Sequence, residues 1–197
     1  SSTSGSAPVA HAAPAARPKK NIEWLAMTPF FAIHILAISA FFIGGITAKA
    51  LIVCGVLYVA RMFGVTGGYH RYFSHRTFKT SRIMQFLLAF LAESSAQRGV
   101  LWWSAHHRHH HKFSDMPEDL HSPMQDGFWY AHAGWIYNHN SETHFDRVRD
   151  LTKYPELRFL NHFWLLPPVM LGVAVYMMLG WVGFLTGFCL STVLVWH

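Results

Sequence analysis

Fifteen of the 197 residues are histidine, and eleven of them fall between residues 67 and 160: His70, His75, His106, His107, His109, His110, His111, His121, His132, His139 and His144. Two groups stand out, His70-Arg-Tyr-Phe-Ser-His75 and His106-His107-Arg108-His109-His110-His111. At about 100° per residue, His107, His110 and His111 share one helical face, so a single helix can aim three imidazoles at one place. His106, His109 and His110 have the same i, i+3, i+4 spacing, so spacing alone leaves two registers open. His70 and His75 are i, i+5 and diverge by about 140° on a regular helix, as ligands serving two metals would, or ligands at a helix end. Neutral imidazole suits iron, zinc, copper and nickel alike. No cysteine lies in this region, unlike many structural zinc sites, and the H-E-x-x-H signature of catalytic zinc is absent. The plain alternative is a solvated, histidine-rich loop. Two groups offering more ligands than one ion needs point instead to a dinuclear site. His34 reads as a hydrogen-bonded interior histidine, His11 as part of a tail, and His132, His139, His144 and His162 gain no partner from spacing.

The elements that must position these groups are apolar. Some 52% of residues are hydrophobic and only 13% charged, and residues 159–197 contain no Lys, Arg, Asp or Glu. That excludes a disordered or collagen-like chain and argues against a soluble domain. Cys54 and Cys189 both sit in apolar runs, which excludes a disulfide scaffold. The expectation is an all-α integral membrane protein with four transmembrane helices, near residues 27–45, 50–66, 163–179 and 181–196, the last two joined by a tight turn at Leu179 and Gly180. Arg61 either snorkels from the second span or faces the interior. Residues 83–92 are too short to span and suit an interfacial or buried helix. Residues 1–23 read as a flexible Ser-, Ala- and Pro-rich tail, and 24–197 as one membrane domain. The tail lacks the order of a signal peptide, and the missing initiator Met suggests a processed or cut start.

Fourteen of the sixteen Lys and Arg residues fall in the tail or in the histidine-rich region, whereas Lys49 lies on the opposite side of the expected spans. The positive-inside rule then places a histidine-rich helical cap and both ends of the chain on the cytoplasmic side. The formal charge of +6 is thus accounted for by topology, without a nucleic-acid partner.

At GGYHRYFSHRTFKTS (residues 67–81), AQRGVLWWSAHHRHHHKFSD (96–115), EDLHSP (118–123) and FWYAHAGW (128–135), the chain resembles the membrane fatty-acid desaturases, specifically their acyl-CoA Δ9 (stearoyl-CoA type) branch. The resemblance runs from about residue 28 to 197. It implies two iron ions held mainly by histidines, O₂ as co-substrate, and electrons from a separate carrier of cytochrome b5 or ferredoxin/rubredoxin type. The implied product is a cis double bond in a saturated acyl chain, carried on CoA or as another acyl-lipid drawn from among membrane lipids. His70 and His75 match the first histidine box. Lys112-Phe113-Ser114 sets the register of the second, so that His107, His110 and His111 match its ligands, while His106 and His109 become outer or structural residues. Asp115, Glu118, Asp119 and His121 are the groups near the boxes that would orient ligands; Asp119 and His121 match a D-P-H element with Leu120 in place of Pro. Gln97 and Trp103 match the residues that flank the bend of the acyl channel, and otherwise read as a polar loop residue and an interfacial Trp.

Two departures matter. Ala105 and His106 stand where the animal acyl-CoA enzymes have acidic and basic residues, which leaves the acyl carrier open. The family's Asn-x-x-x-His element and third histidine box would follow His197, so the expectation is a fragment that is inactive alone. A related membrane hydroxylase or alkane monooxygenase, and an inactive metal-binding membrane fragment, are the competing readings.

Overall fold

The computed structural model describes residues 22–43, 46–114, 116, 118, 119, 121–138 and 142–197. The expected tail through residue 21, with His11, lies outside the described residues, as do Asp115, Leu120 and His139. The described residues form helices, without strands apart from an isolated bridge between Ile22 and Asn138. Helix α1 is Thr28–Ser39, opened by Pro29 at a position where the missing N–H costs nothing. It is shorter than the expected span, because Ser39 gives way to turns that run to Ile43. Helix α2, Ala48–Phe63, starts where the Thr47 side chain accepts the Ala50 N–H, and it continues unbroken into a π-helical stretch, Gly64–Ser74. Helix α3, Arg82–Glu93, begins on a Ser81 cap, and α4, Val100–Phe113, carries the second histidine group. Short elements follow: α5 (Pro123–Asp126), α6 (Phe128–His132) and α7 (Arg149–Thr152), then α8 (Pro155–His162). The chain closes with α9 (Leu166–Gly183), a second π-helical stretch (Phe184–Leu190) and α10 (Ser191–Trp196).

Two apolar helical runs are long enough to cross a membrane, Ala48–Ser74 and Leu166–Trp196. Only 22% and 28% of their most apolar windows are buried within the protein, whereas the core helix of a soluble protein would be mostly buried. The second run is not one straight rod. Gly180 takes φ 66° and ψ −162°, outside helical geometry and in a region that glycine adopts without strain. The rings of Phe184 and Phe188 then lie against Gly172, so the two arms run back along each other, with the turn where the sequence placed it.

The larger buried cluster sits in the histidine-bearing region. It packs the π stretch, α3, α4 and α8 together through Phe73, Leu88, Leu101, Leu157 and Leu160. Each fully buried leucine contributes roughly 1.5–3 kcal/mol, so this region is a packed support and not a loose loop. A smaller cluster joins α1, α9 and the second π stretch around Ala37, Val175 and Phe188.

Of the two readings of Arg61, the structure has the interior one. The residue is fully buried, donates to Thr192 Oγ1 at 2.7 Å, to Leu57 O at 3.3 Å and to Ser191 Oγ, and lies over the Phe188 ring. It ties α2 to α10 with neutral acceptors that satisfy its donors.

Candidate metal centre

The π-helical stretch decides how the first histidine pair is arranged. In a π-helix the backbone bonds run i→i+5, and here the His75 N–H donates to His70 O at 3.1 Å. Residues five apart therefore lie nearly over one another, and the His70 and His75 rings are 4.6 Å apart. The divergence expected for a regular helix is not seen, because the helix is wider than an α-helix at this point, and His75 stands at the end of that stretch, as the helix-end alternative has it.

Helix α4 brings His107 and His111 to the same place. The ligand nitrogens of His70, His75, His107 and His111 all lie within 4.8 Å of one another. His75 Nε2 and His107 Nε2 are 3.3 Å apart. Two nitrogens each bound at about 2.0–2.1 Å to one ion stand about 2.8–3.0 Å apart at neighbouring octahedral positions and about 3.3–3.4 Å apart in a tetrahedron, so the spacing fits a shared ion. His110 points elsewhere and forms a second group with Asp119 and His121. His110 Nδ1 donates to the buried carboxylate Oδ1 of Asp119 at 2.8 Å, the His121 N–H donates to the same oxygen at 3.2 Å, and the His110 and His121 rings stack at 4.1 Å. With its Nδ1 proton held by a carboxylate, His110 presents the Nε2 lone pair as a donor. The His110 and His111 rings, 5.8 Å apart, link the two groups.

His106 and His109 are turned away and occupied. His106 donates through Nδ1 to Trp102 O at 2.8 Å and stacks on that indole, while His109 donates through Nε2 to Glu118 O at 2.8 Å. Burial, followed by neighbouring imidazoles, pushes His107 down to about 3. Burial likewise takes His106 to about 3 and, with His110 beside it, His121 to about 4. At neutral pH these rings are uncharged, the form in which imidazole binds a metal. Donors of this type suit iron as well as zinc or copper.

Three long-range devices hold the groups in place, and none could be read from local spacing. Arg108, inside the second histidine group, donates to Phe73 O at 2.8 Å and Ser74 O at 3.1 Å and so caps the stretch that carries His70 and His75. Its guanidinium also grips Asp150 through two bonds of 2.7 and 3.0 Å. Burial would raise the Asp150 carboxyl, but the bonds and charge of Arg108, with Arg76, outweigh it and hold the group below its usual range. The N-terminus of α4 is held by side chains from two other helices. Asn161 Oδ1 accepts the N–H groups of Leu101 and Trp102 at 3.0 and 2.9 Å, and Glu93 Oε1 accepts that of Val100 at 2.9 Å.

A cavity of about 240 Å³ opens beside the two groups, with His107, His121, Gln97, Trp103, Trp135 and Trp196 in its walls. Trp103 stacks between Tyr69 and His107 at 5.1 and 4.5 Å, and Gln97 donates to Val195 O at 3.3 Å. On the far wall His132 Nε2 meets His197 Nδ1 at 2.8 Å, and His197 Nε2 meets His34 Nε2 at 2.9 Å. The bond from His34 Nδ1 to Phe30 O at 2.7 Å bears out the hydrogen bonding expected of His34, although the residue is half-buried and not interior.

Residues 46–197 match the family profile described as fatty acid desaturase. The chain is 32% identical to a palmitoyl-monogalactosyldiacylglycerol delta-7 desaturase, chloroplastic, of Arabidopsis thaliana, covering 90% of this chain and 48% of that protein. It is 33% identical to a probable acyl-CoA desaturase of Schizosaccharomyces pombe, over 75% of this chain and 31% of the relative. It is 31% identical to an sn-1 stearoyl-lipid 9-desaturase of Anabaena variabilis, over 91% and 66% respectively. The chain belongs to the fatty acid desaturase family, whose members are oxidoreductases acting on acyl chains. It spans between about a third and two thirds of the length of these relatives.

Proposed function

We propose that the full-length protein is an O₂-dependent di-iron acyl desaturase that introduces a cis double bond, at Δ9, into a saturated chain carried on CoA or on a membrane lipid. The observation that carries this reading is the convergence of four imidazoles within 4.8 Å of one another beside a His110–Asp119–His121 group, both at the wall of a Trp-lined cavity. His70, His75, His107 and His111 would hold one iron, and His110 the other, with further ligands from the later histidine box that the resemblance implies. Bound iron would supply the oxidising power to take hydrogen from an unactivated methylene, which no side-chain acid or base has.

The chain's own residues do the positioning. Asp119 holds the His110 tautomer, Arg108 locks the two histidine-bearing helices together, and His109 ties α4 to the Glu118 carbonyl, while His106 is held against the Trp102 carbonyl of its own helix. Trp103, Trp135 and Gln97 shape a mostly apolar slot that excludes water from the acyl chain. Four membrane crossings, with the histidine region on the cytoplasmic side, are supported by the reversal at Gly180 and by the basic residues of that region. There the site is open to a one-electron carrier of cytochrome b5 or ferredoxin/rubredoxin type.

The test is product analysis. Full-length protein supplied with a stearoyl substrate, O₂ and a reducing carrier should give a cis-9 monoene. A hydroxylated chain would mark a monooxygenase instead, and an unchanged chain would overturn the reading.

A further inference from the structure

Behind the second histidine group the rings continue as a column. His110 stacks on His121 with ring centres 4.1 Å apart and planes 23° apart. His121 stacks in turn on Trp135 at 4.4 Å and 27°, and Trp135 on Trp102 at 5.3 Å and 18°. The four rings come from α4, from the segment between α4 and α5, and from the 3₁₀ turn Gly134–Tyr137. Trp102, at the far end, is buried in the fold, yet it lines both the cavity beside the histidines and a second, open cavity of about 880 Å³.

A second stack starts at the other group and ends blind. Trp103 lies between His107 and Tyr69, at 4.5 and 5.1 Å. Tyr69 is wholly buried, and its O–H donates to Arg98 O at 2.6 Å. A tyrosine sheds that proton when it is oxidised, and a backbone carbonyl is too weak a base to take it. An indole can give up one electron and keep its N–H, so a pair of stacked tryptophans has no such obstacle. It is the Trp135–Trp102 column that joins a metal position to an open cavity.

Resting on the desaturase reading, we propose that Trp135 and Trp102 are redox-active and supply electrons when O₂ is reduced at the irons with no acyl chain bound. Full reduction of O₂ to two waters takes four electrons. In coupled turnover the carrier gives two, and the acyl chain gives two with the hydrogens it loses. Without the chain the last two are missing, and the site needs another outlet to avoid damage to its ligands. Trp135 gives up one electron through His121 and His110, and no bond of the indole forms or breaks. Trp102 refills Trp135, and a water-soluble one-electron reductant refills Trp102 from the open cavity. A second pass supplies the other electron, and solvent supplies the protons. The Arg98 guanidinium lies 5.5 Å from the Trp102 ring centre, with Glu23 facing it. A cation over the ring makes Trp102 the harder of the two to oxidise, so charge passes through it and lasting damage falls on Trp135.

The experiment exposes full-length, iron-loaded protein, reduced stoichiometrically with dithionite and free of acyl substrate, to O₂. Peptide mass spectrometry then maps the oxidised residues. The expected result is oxygen-bearing tryptophan at Trp135, lost when ascorbate is present. Trp102→Phe cuts the refilling route, so Trp135 should then be marked even in ascorbate. Trp135→Phe should abolish the tryptophan radical seen by freeze-quench electron paramagnetic resonance, with iron content checked by metal analysis. Should that variant fail to hold iron, the Trp102→Phe comparison decides alone. Oxidation confined to Trp103 or to the histidines would overturn the proposal, as would ascorbate protection that survives Trp102→Phe. Monoene formation from a stearoyl substrate by the same preparation separates this inference from the desaturase reading. Product with Trp135 unmarked in the substrate-free reaction sinks the inference alone. No product, with Trp135 marked and protected through Trp102, sinks the desaturase reading and leaves the electron route standing.

Discussion

Glu93→Gln should remove a pH dependence of stability that Glu93 imposes on the wild type. Glu93 is wholly buried at the end of α3, with Oε1 accepting the Val100 N–H and Oε2 without a hydrogen-bond partner among the described residues. Burial pushes its carboxyl up to about 8, and the bond from Val100 only partly offsets this. The folded protein therefore keeps a proton that the unfolded chain sheds above its ordinary value of 4.5. The stabilisation is complete at low pH and is lost as pH rises towards the folded value. At pH 6.5 the unfolded chain's histidines are still half protonated, so those depressed in the fold add an opposite slope, and the Glu93 contribution is read as the difference between wild type and Glu93→Gln at each pH. One proton over 1.5 pH units is about 2 kcal/mol, or roughly 4–8 °C in melting temperature for a chain of this size. Thermal unfolding of the full-length wild type and variant in detergent, followed by tryptophan fluorescence, should show that decline as their difference. Glu93→Gln, which keeps an oxygen for Val100 and cannot ionise, should lack this decline, so its melting temperature should gain on that of the wild type across the window. A variant with the same slope as the wild type would refute the reasoning.

The buried histidines predict the opposite slope on the acid side. In metal-stripped protein, His106, His107 and His121 stay neutral below pH 6.5 while the unfolded chain takes up protons, so stability should fall by up to about 1.4 kcal/mol per histidine per pH unit down to pH 5. A flat melting profile there would contradict their burial. Asp119→Asn leaves the His110 Nδ1 proton without its carboxylate and should weaken metal retention by about 10–100-fold in chelator competition; unaltered retention would mean that Asp119 does not orient His110. Gly99→Ala would put a Cβ 2.4 Å from Asn161 Oδ1 and 2.7 Å from Asn161 Cα, displacing the group that caps α4. The cost should be about 1–3 kcal/mol, and a melt indistinguishable from wild type would show that the backbone yields freely.

What the sequence made legible was local or periodic. Apolar runs marked the two helical stretches long enough to cross a membrane, and the paired signals at Leu179 and Gly180 marked the reversal that Gly180 makes. Helical spacing brought His107 and His111 to one face but could not choose between registers; the family resemblance did, and the structure leaves His106 and His109 bonded to carbonyls. The His70–His75 pairing was hidden because reading by spacing assumes an α-helix, and a π-helix rotates residue i+5 back over residue i. Asp150, Asn161 and Glu93 carried no local signal. Each meets its partner only when α3, α4, α7 and α8 pack, and a lone acid or amide at those positions reads as surface. The His34–His197–His132 line was out of reach for the same reason, its members lying on separate helices.

The central claim is that the two histidine boxes hold iron in two distinct groups. Iron per chain, counted on purified full-length protein by metal analysis and Mössbauer spectroscopy, tests it directly when wild type is set beside His110→Ala/His111→Ala. These substitutions take one imidazole from each group. The account predicts two irons in the wild type and a loss from both positions in the variant. A double variant that still binds two irons with unchanged spectra would contradict it.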